Sequence, residues 1–77
     1  MRLDLTERVV RLGDVEILVK EARVEMGECT RYTAELSLHG GHERAAVDAT
    51  VADDYAAVLT AALQAFAASV RLRRVLP

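Results

Sequence analysis

The chain has 77 residues, of which 52% are hydrophobic and 29% charged, and its ten basic and twelve acidic residues give a net charge of -2. This length allows one domain, over residues 1–77, and the composition is that of a folded rather than a disordered chain. The slightly acidic balance excludes a whole-molecule attraction to nucleic acid, so any phosphate contact must come from a local basic patch.

The single cysteine, Cys29, cannot form an internal disulfide and has no second thiol with which to share a metal ion. Asp4 and Glu7 interrupt the apolar positions near the start, so this segment does not resemble a signal peptide. No apolar stretch is expected to be long enough to cross a bilayer. These features together predict a cytoplasmic domain without a membrane partner.

Three glycine-containing breaks divide most of the chain into apolar runs. They are Gly13-Asp14, Gly27 and Gly40-Gly41, and residues of this type close tight hairpins. They predict four strands, at residues 6–12, 15–26, 30–39 and 42–51, which pair in order as an antiparallel meander.

The third hairpin has the clearest register. With a two-residue turn at residues 40–41, Leu36 pairs with Ala45 and Ala34 with Val47 on one face, and polar residues fill the other. For the second hairpin we predict a three-residue loop at residues 27–29, which extends the same apolar face. A two-residue turn there would set an arginine against a tyrosine, which is less favourable.

The first hairpin, closed at residues 13–14, places Arg11 opposite Glu16 and Glu7 opposite Lys20. It also leaves five apolar residues on the face away from the others: Val10, Leu12, Val15, Ile17 and Val19. Two explanations remain open. A β-bulge near residues 20–21 would switch the face, whereas an exposed apolar patch would bind a protein partner.

A helix follows the last strand, and Asp53 or Asp54 is predicted to cap its first turn. Apolar residues then recur at three- and four-residue spacing and form a stripe that packs on the sheet. The stripe contains Tyr55, Val58, Leu59, Ala62, Leu63, Phe66 and Val70. The predicted architecture is therefore α+β, a four-stranded antiparallel meander with one C-terminal helix on one face.

Alanines surround this stripe at positions 57, 61, 65 and 68. Helix propensity alone accounts for them, but a smooth surface also suits close approach of another helix or subunit. Ala57 and Ala61 are therefore candidate interface residues, together with the apolar patch of the first hairpin, and a homodimer is possible.

No nucleophile with a neighbouring base, and no carboxylate pair in a cleft, can be assembled from the sequence. His39 and His42 flank the glycine pair, but the further ligands that a zinc site needs are missing. No lysine or helix start follows the glycine pair as in a phosphate-binding loop. We therefore predict no enzyme activity, small-molecule substrate, metal or cofactor.

Arg71, Arg73 and Arg74 form the densest basic cluster. Arginine can hold two phosphate oxygens at once, so three together could anchor an RNA backbone, although arginines also suit the C-terminal end of any helix. The aromatic residues are assigned to the core, which favours structured RNA over single strands.

Residues 32–74 contain a strand that ends in a glycine pair, a strand of alternating small residues, an acidic residue before Tyr55, and a helix that ends in basic residues. This segment resembles the N-terminal domain of the ribosome hibernation promoting factor family, also known as ribosome-associated inhibitors. The resemblance implies binding to ribosomal RNA in the small subunit through Arg71, Arg73 and Arg74. The family's first helix has no counterpart here. The alternative hypothesis is a small protein-binding inhibitor, for example phage-encoded, or a self-associating regulatory module.

Overall fold

The computed structural model describes residues 1–76. Its elements are β1 Arg2–Leu12, β2 Val15–Met26, β3 Cys29–Leu38, β4 Arg44–Ala49 and α1 Ala52–Val75. The strands form one sheet in the order β1-β2-β3-β4, with antiparallel neighbours throughout. Helix α1 packs on one face of this sheet against β2, β3 and β4. The predicted α+β meander with a C-terminal helix is confirmed.

The registers of the first and third hairpins agree with the predictions. Arg11 pairs with Glu16, and Leu36 pairs with Ala45. The third turn itself differs, because the ladder ends at Ser37 and the Gly41 amide donates to the Leu38 carbonyl at 3.0 Å. His39 and Gly40 therefore occupy the centre of the turn, and the φ of 74° at Gly40 is the positive value that a type II turn requires at its third residue.

The prediction for the second hairpin is wrong. Met26 pairs directly with Cys29, so the turn contains two residues, Gly27 and Glu28, and Arg23 lies opposite Tyr32. This pairing is tolerated because the Arg23 side chain is half exposed and forms an ion pair with Glu25. The shorter loop turns the opposite set of β2 side chains toward α1.

With this register, both explanations for the apolar patch of the first hairpin, a β-bulge and an exposed surface, are wrong. Val15, Ile17 and Val19 are fully buried, and Val10 and Leu12 pack against the core around them. The pairing of β1 with β2 is continuous, without a bulge. These five residues therefore belong to the core and do not form an exposed surface for a partner.

Helix α1 supplies the other side of the core. Four of its residues are buried against the sheet: Leu59, Phe66, Ala67 and Val70. All of these except Ala67 belong to the predicted stripe. Val58, also assigned to the stripe, is 46% exposed, so that assignment is wrong. It lies one residue before Leu59, which rotates its side chain by roughly 100° away from the sheet.

The start of α1 differs from the prediction as well. Val51 is the N-cap residue and makes no side-chain cap, while Asp53 and Asp54 lie inside the first turn. The two carboxylates are therefore not caps. They still complement the positive end of the helix dipole, which is favourable in the first turn.

A matched pair of valines tests which sheet face is the core. Val19 is fully buried and Val9 is 64% exposed. We expect Val19→Ala to lower the free energy of unfolding by about 2 to 3 kcal/mol, because it removes buried apolar volume. Val9→Ala should change it by less than about 0.5 kcal/mol. Urea unfolding followed by circular dichroism measures both; equal losses would contradict the register.

Candidate functional site

The C-terminal end of α1 lies against the first hairpin turn. The Arg71 Nη2 donates to the Leu12 carbonyl at 2.8 Å, and the Arg74 Nη1 donates to Asp14 Oδ2 at 3.0 Å. The guanidinium of Arg71 also covers Gly13, where a Cβ atom would lie 3.0 Å from its Nη2. Two of the three predicted RNA-binding arginines therefore tie the helix to the sheet.

Arg73 makes the corresponding contact to the loop of the third hairpin. Its Nη1 donates to Glu43 Oε1 at 3.0 Å. A hydrogen bond from the backbone of Glu43 itself, together with the one from Arg73, holds the pKa of this carboxyl below its ordinary value. The structure thus brings Arg71, Arg73 and Arg74 to one end of the molecule, but each already has an intramolecular partner.

The end of the molecule at which the first and third turns meet the C-terminus of α1, which we call the turn end, nevertheless carries an excess of two positive charges. Its charged side chains are five arginines, Arg11, Arg44, Arg71, Arg73 and Arg74, and three carboxylates, Asp14, Glu16 and Glu43. The start of α1, at the other end of the helix, is acidic, because Asp53 and Asp54 are exposed and form no ion pair within residues 1–76. The charge therefore changes along α1, from negative at the start of the helix to positive at its end.

Of the predicted protein-interface residues, only Ala57 and Ala61 lie on the surface. They belong to an exposed side of α1 that sequence reasoning recognised incompletely. Six exposed residues follow one another there at alternating intervals of three and four: Val58, Ala61, Ala65, Ala68, Leu72 and Val75, which we call the α1 seam. Val58, Leu72 and Val75 are 46%, 59% and 77% exposed. A repeat of this kind is typical of helices that pack against another helix.

The same helix corrects the expectation that no segment is long enough to cross a membrane. By length and composition α1 could do so, since an 18-residue window has a mean hydropathy of 1.4, with 22% of that window buried. Part of this hydropathy comes from core residues such as Phe66 and Val70. The remainder comes from the exposed side, which includes the α1 seam.

The outer face of the sheet, on the side away from α1, is more mixed in character. Leu3, Leu5 and Val9 are exposed on β1. Ion pairs lie on the same face, however, between Arg11 and Glu16 on β1 and β2 and between Arg31 and Asp48 on β3 and β4. The apolar residues of this face are therefore interrupted by charge, whereas the α1 seam is not.

The depressions in the surface show no grouping of side chains suited to catalysis or metal binding within residues 1–76. A depression of about 340 Å³ between α1 and β4 is lined by Ala62, Ala65, Phe66 and Ser69, with Arg73 among the charged residues at its rim. Within residues 1–76, no three side chains among His, Cys, Asp and Glu are grouped so that they could hold a metal ion. His39 and His42 lie in the loop beyond the last ladder pair of β3 and β4.

A partly buried polar network holds the other end of α1. The Tyr55 hydroxyl donates to Glu21 Oε2 at 2.6 Å, and the Arg8 Nε donates to Glu21 Oε1 at 2.9 Å. Burial raises the pKa of Glu21, but these two hydrogen bonds and the charge of Arg8 outweigh it, so the pKa lies below its ordinary value. Burial and the hydrogen bond to Glu21 raise the pKa of Tyr55. The Tyr55 ring stacks on Tyr32, with centroids 5.5 Å apart.

No protein-family model matches the chain, and neither a curated protein nor a solved structure matches it.

Replacing Tyr55 with phenylalanine tests the role of the network. Tyr55→Phe should lower the free energy of unfolding by about 1.5 to 3 kcal/mol near neutral pH, because a hydrogen bond to a charged carboxylate is lost. Tyr32→Phe is the control, since its hydroxyl makes no hydrogen bond within residues 1–76. It should change stability by less than about 0.5 kcal/mol.

The pH dependence has a defined sign. A carboxyl whose folded pKa is lowered stabilises the fold above its unfolded pKa and loses this contribution as the pH falls toward the folded value. The difference between wild type and Tyr55→Phe should therefore shrink on acidification through the ordinary glutamate range. Denaturant titrations at several pH values measure this, and a difference that grows on acidification would contradict the network.

Proposed function

We propose that this protein is a non-enzymatic protein-binding module that contacts its partner through the α1 seam. The observation that carries the proposal is the absence of charge along α1 between Asp54 and Arg71. None of the residues 55–70 is charged, although only Leu59, Phe66, Ala67 and Val70 of this segment are buried.

A helix on the surface of a small domain ordinarily places charged residues on its solvent side. Here the solvent side carries alanines, with Val58 and Leu72 toward its two ends. Small side chains allow a second helix to approach to the short end of the usual interaxial range, about 8 Å. The surface therefore suits a helical partner with small or apolar residues at the same spacing.

The position of α1 also favours this role. Its start is held by the Tyr55 hydrogen bond to Glu21, and its end by the arginine contacts to Leu12 and Asp14. A helix fixed at both ends presents its free side without further ordering. Such preorganisation reduces the entropic cost of binding.

RNA binding through Arg71, Arg73 and Arg74 is the second candidate, as in the ribosome hibernation promoting factors that residues 32–74 resemble. The excess positive charge of the turn end favours it. Against it, phosphate would have to compete with Asp14 and Glu43 for the same guanidinium groups. We therefore rank this function below protein binding.

Site-specific photo-cross-linking tests the proposed function. The photoreactive residue p-benzoylphenylalanine is introduced at Ala61, on the seam, or at the exposed Glu35, on the outer sheet face. We expect a discrete protein adduct from position 61, in cells that express the chain, and none from position 35. The adduct should disappear when Ala65→Glu places a charge on the seam. Adducts of equal yield from both positions, or none from position 61, would refute the proposal.

Ribosome pelleting over a range of salt concentrations tests the second candidate. We expect no association at any concentration. Association that weakens steeply with added salt would support RNA binding, because counterion release contributes to such affinity. It should then be lost in Arg73→Gln/Arg74→Gln and kept in the control Arg23→Gln/Arg31→Gln, which removes two exposed ion-paired arginines elsewhere.

A further inference from the structure

We infer that the partner of the α1 seam is a second copy of this chain, with the two α1 helices antiparallel about a two-fold axis beside Ala65. This inference rests on the proposed function of the seam and names its occupant. Three properties of α1 support it: the order of large and small residues along the seam, the charge at the two helix ends, and the lack of charge between them.

The order of residues along the seam is self-complementary over its first five members, from Val58 to Leu72. With Ala65 at the axis, Val58 lies level with Leu72 of the second copy, and Ala61 lies within about 1.5 Å, along the helix axis, of the level of Ala68 of the second copy. Alanines thus meet at the centre, where the helices are closest, and the larger side chains of Val58 and Leu72 pack against each other at both ends. A two-fold interface requires this kind of match, since the same patch serves both partners.

The charges select the antiparallel orientation. Asp53 and Asp54 are in the first turn of α1 and form no ion pair within residues 1–76, whereas the end of the molecule beside the last turn keeps an excess of two positive charges after Asp14, Glu16 and Glu43 are counted against its five arginines. Antiparallel helices bring the acidic start of one copy to the basic end of the other, and they also oppose the two helix dipoles. Parallel helices would instead place like charges together at both ends.

A bilayer fits the same surface less well. Four of the exposed positions away from the sheet, at 57, 61, 65 and 68, are alanine, which offers little apolar area to lipid. An interfacial helix is typically rich in bulky apolar residues on one side and basic residues on the other. Here the residues between Asp54 and Arg71 include no basic residue.

Light scattering and disulfide trapping test the inference together. Wild type should show twice the 8.4 kDa mass of one chain at micromolar concentrations. Ala65→Glu should reduce the mass to that of one chain. Ala56→Glu, an exposed alanine of α1 outside the seam, should leave the dimer intact. Circular dichroism verifies that both variants fold.

Trapping distinguishes the orientations and does not depend on the charged variant. In a Cys29→Ser background, Ala65→Cys should form a disulfide dimer, and Val58→Cys should cross-link to Leu72→Cys when the two proteins are mixed. Leu72→Cys alone should not cross-link, because the two copies of this residue lie ~21 Å apart along the axis at 1.5 Å per residue.

A Leu72→Cys homodisulfide that forms as fast as the Ala65→Cys one would overturn the antiparallel arrangement. A single-chain mass at all concentrations would overturn the dimer, and so would a single chain that binds phospholipid vesicles through the seam. If position 61 still cross-links to a different protein, the proposed function stands and only this inference fails. If position 61 gives no protein adduct, both fail.

Discussion

The length of the turn at Gly27-Glu28 is the constraint on which the rest of this structure depends. Successive side chains of a strand point to opposite faces, so a loop of two residues rather than three fixes which side of β2 faces α1. The two-residue turn places Val15, Ile17 and Val19 beneath the helix, where they are fully buried. This register therefore determines which residues form the core, where α1 packs on the sheet, and which side of the helix remains exposed.

Only one side of helix α1 is needed to cover the sheet. Phe66 and its neighbours fill the core, while the ends of the helix are held by Tyr55 at the start and the arginines at the finish. The arginines that suggested RNA binding thus have a structural role that brings the turns and the helix together. What remains exposed between these anchors is an uncharged surface that contains the α1 seam and the polar residues Thr60, Gln64 and Ser69. A small domain can bury such a surface by association.

Much of the fold could be predicted from local patterns. Glycine-containing turns and alternation were sufficient for the registers of the first and third hairpins, although the third turn is centred on residues 39–40 rather than on residues 40–41. The second hairpin was not predictable because Ile17, Leu18 and Val19 are consecutive apolar residues, so alternation cannot choose between the faces of β2. The partners of the arginines, Asp14 and Glu43, are 60 and 30 residues away in the chain, where no local pattern reveals them. The seam was partly missed because Val58 adjoins the core residue Leu59.

The central claim is that one side of α1 forms the core while the other receives a second copy. Isotope-filtered nuclear Overhauser measurements on a mixture of labelled and unlabelled protein test it most directly, since they detect only contacts between chains. The account predicts intermolecular contacts from the methyl groups of Ala61, Ala65 and Leu72, with Leu72 reaching Val58 of the other copy. Intermolecular contacts from Ile17 or Val19, or none at all in the concentrated protein, would contradict it.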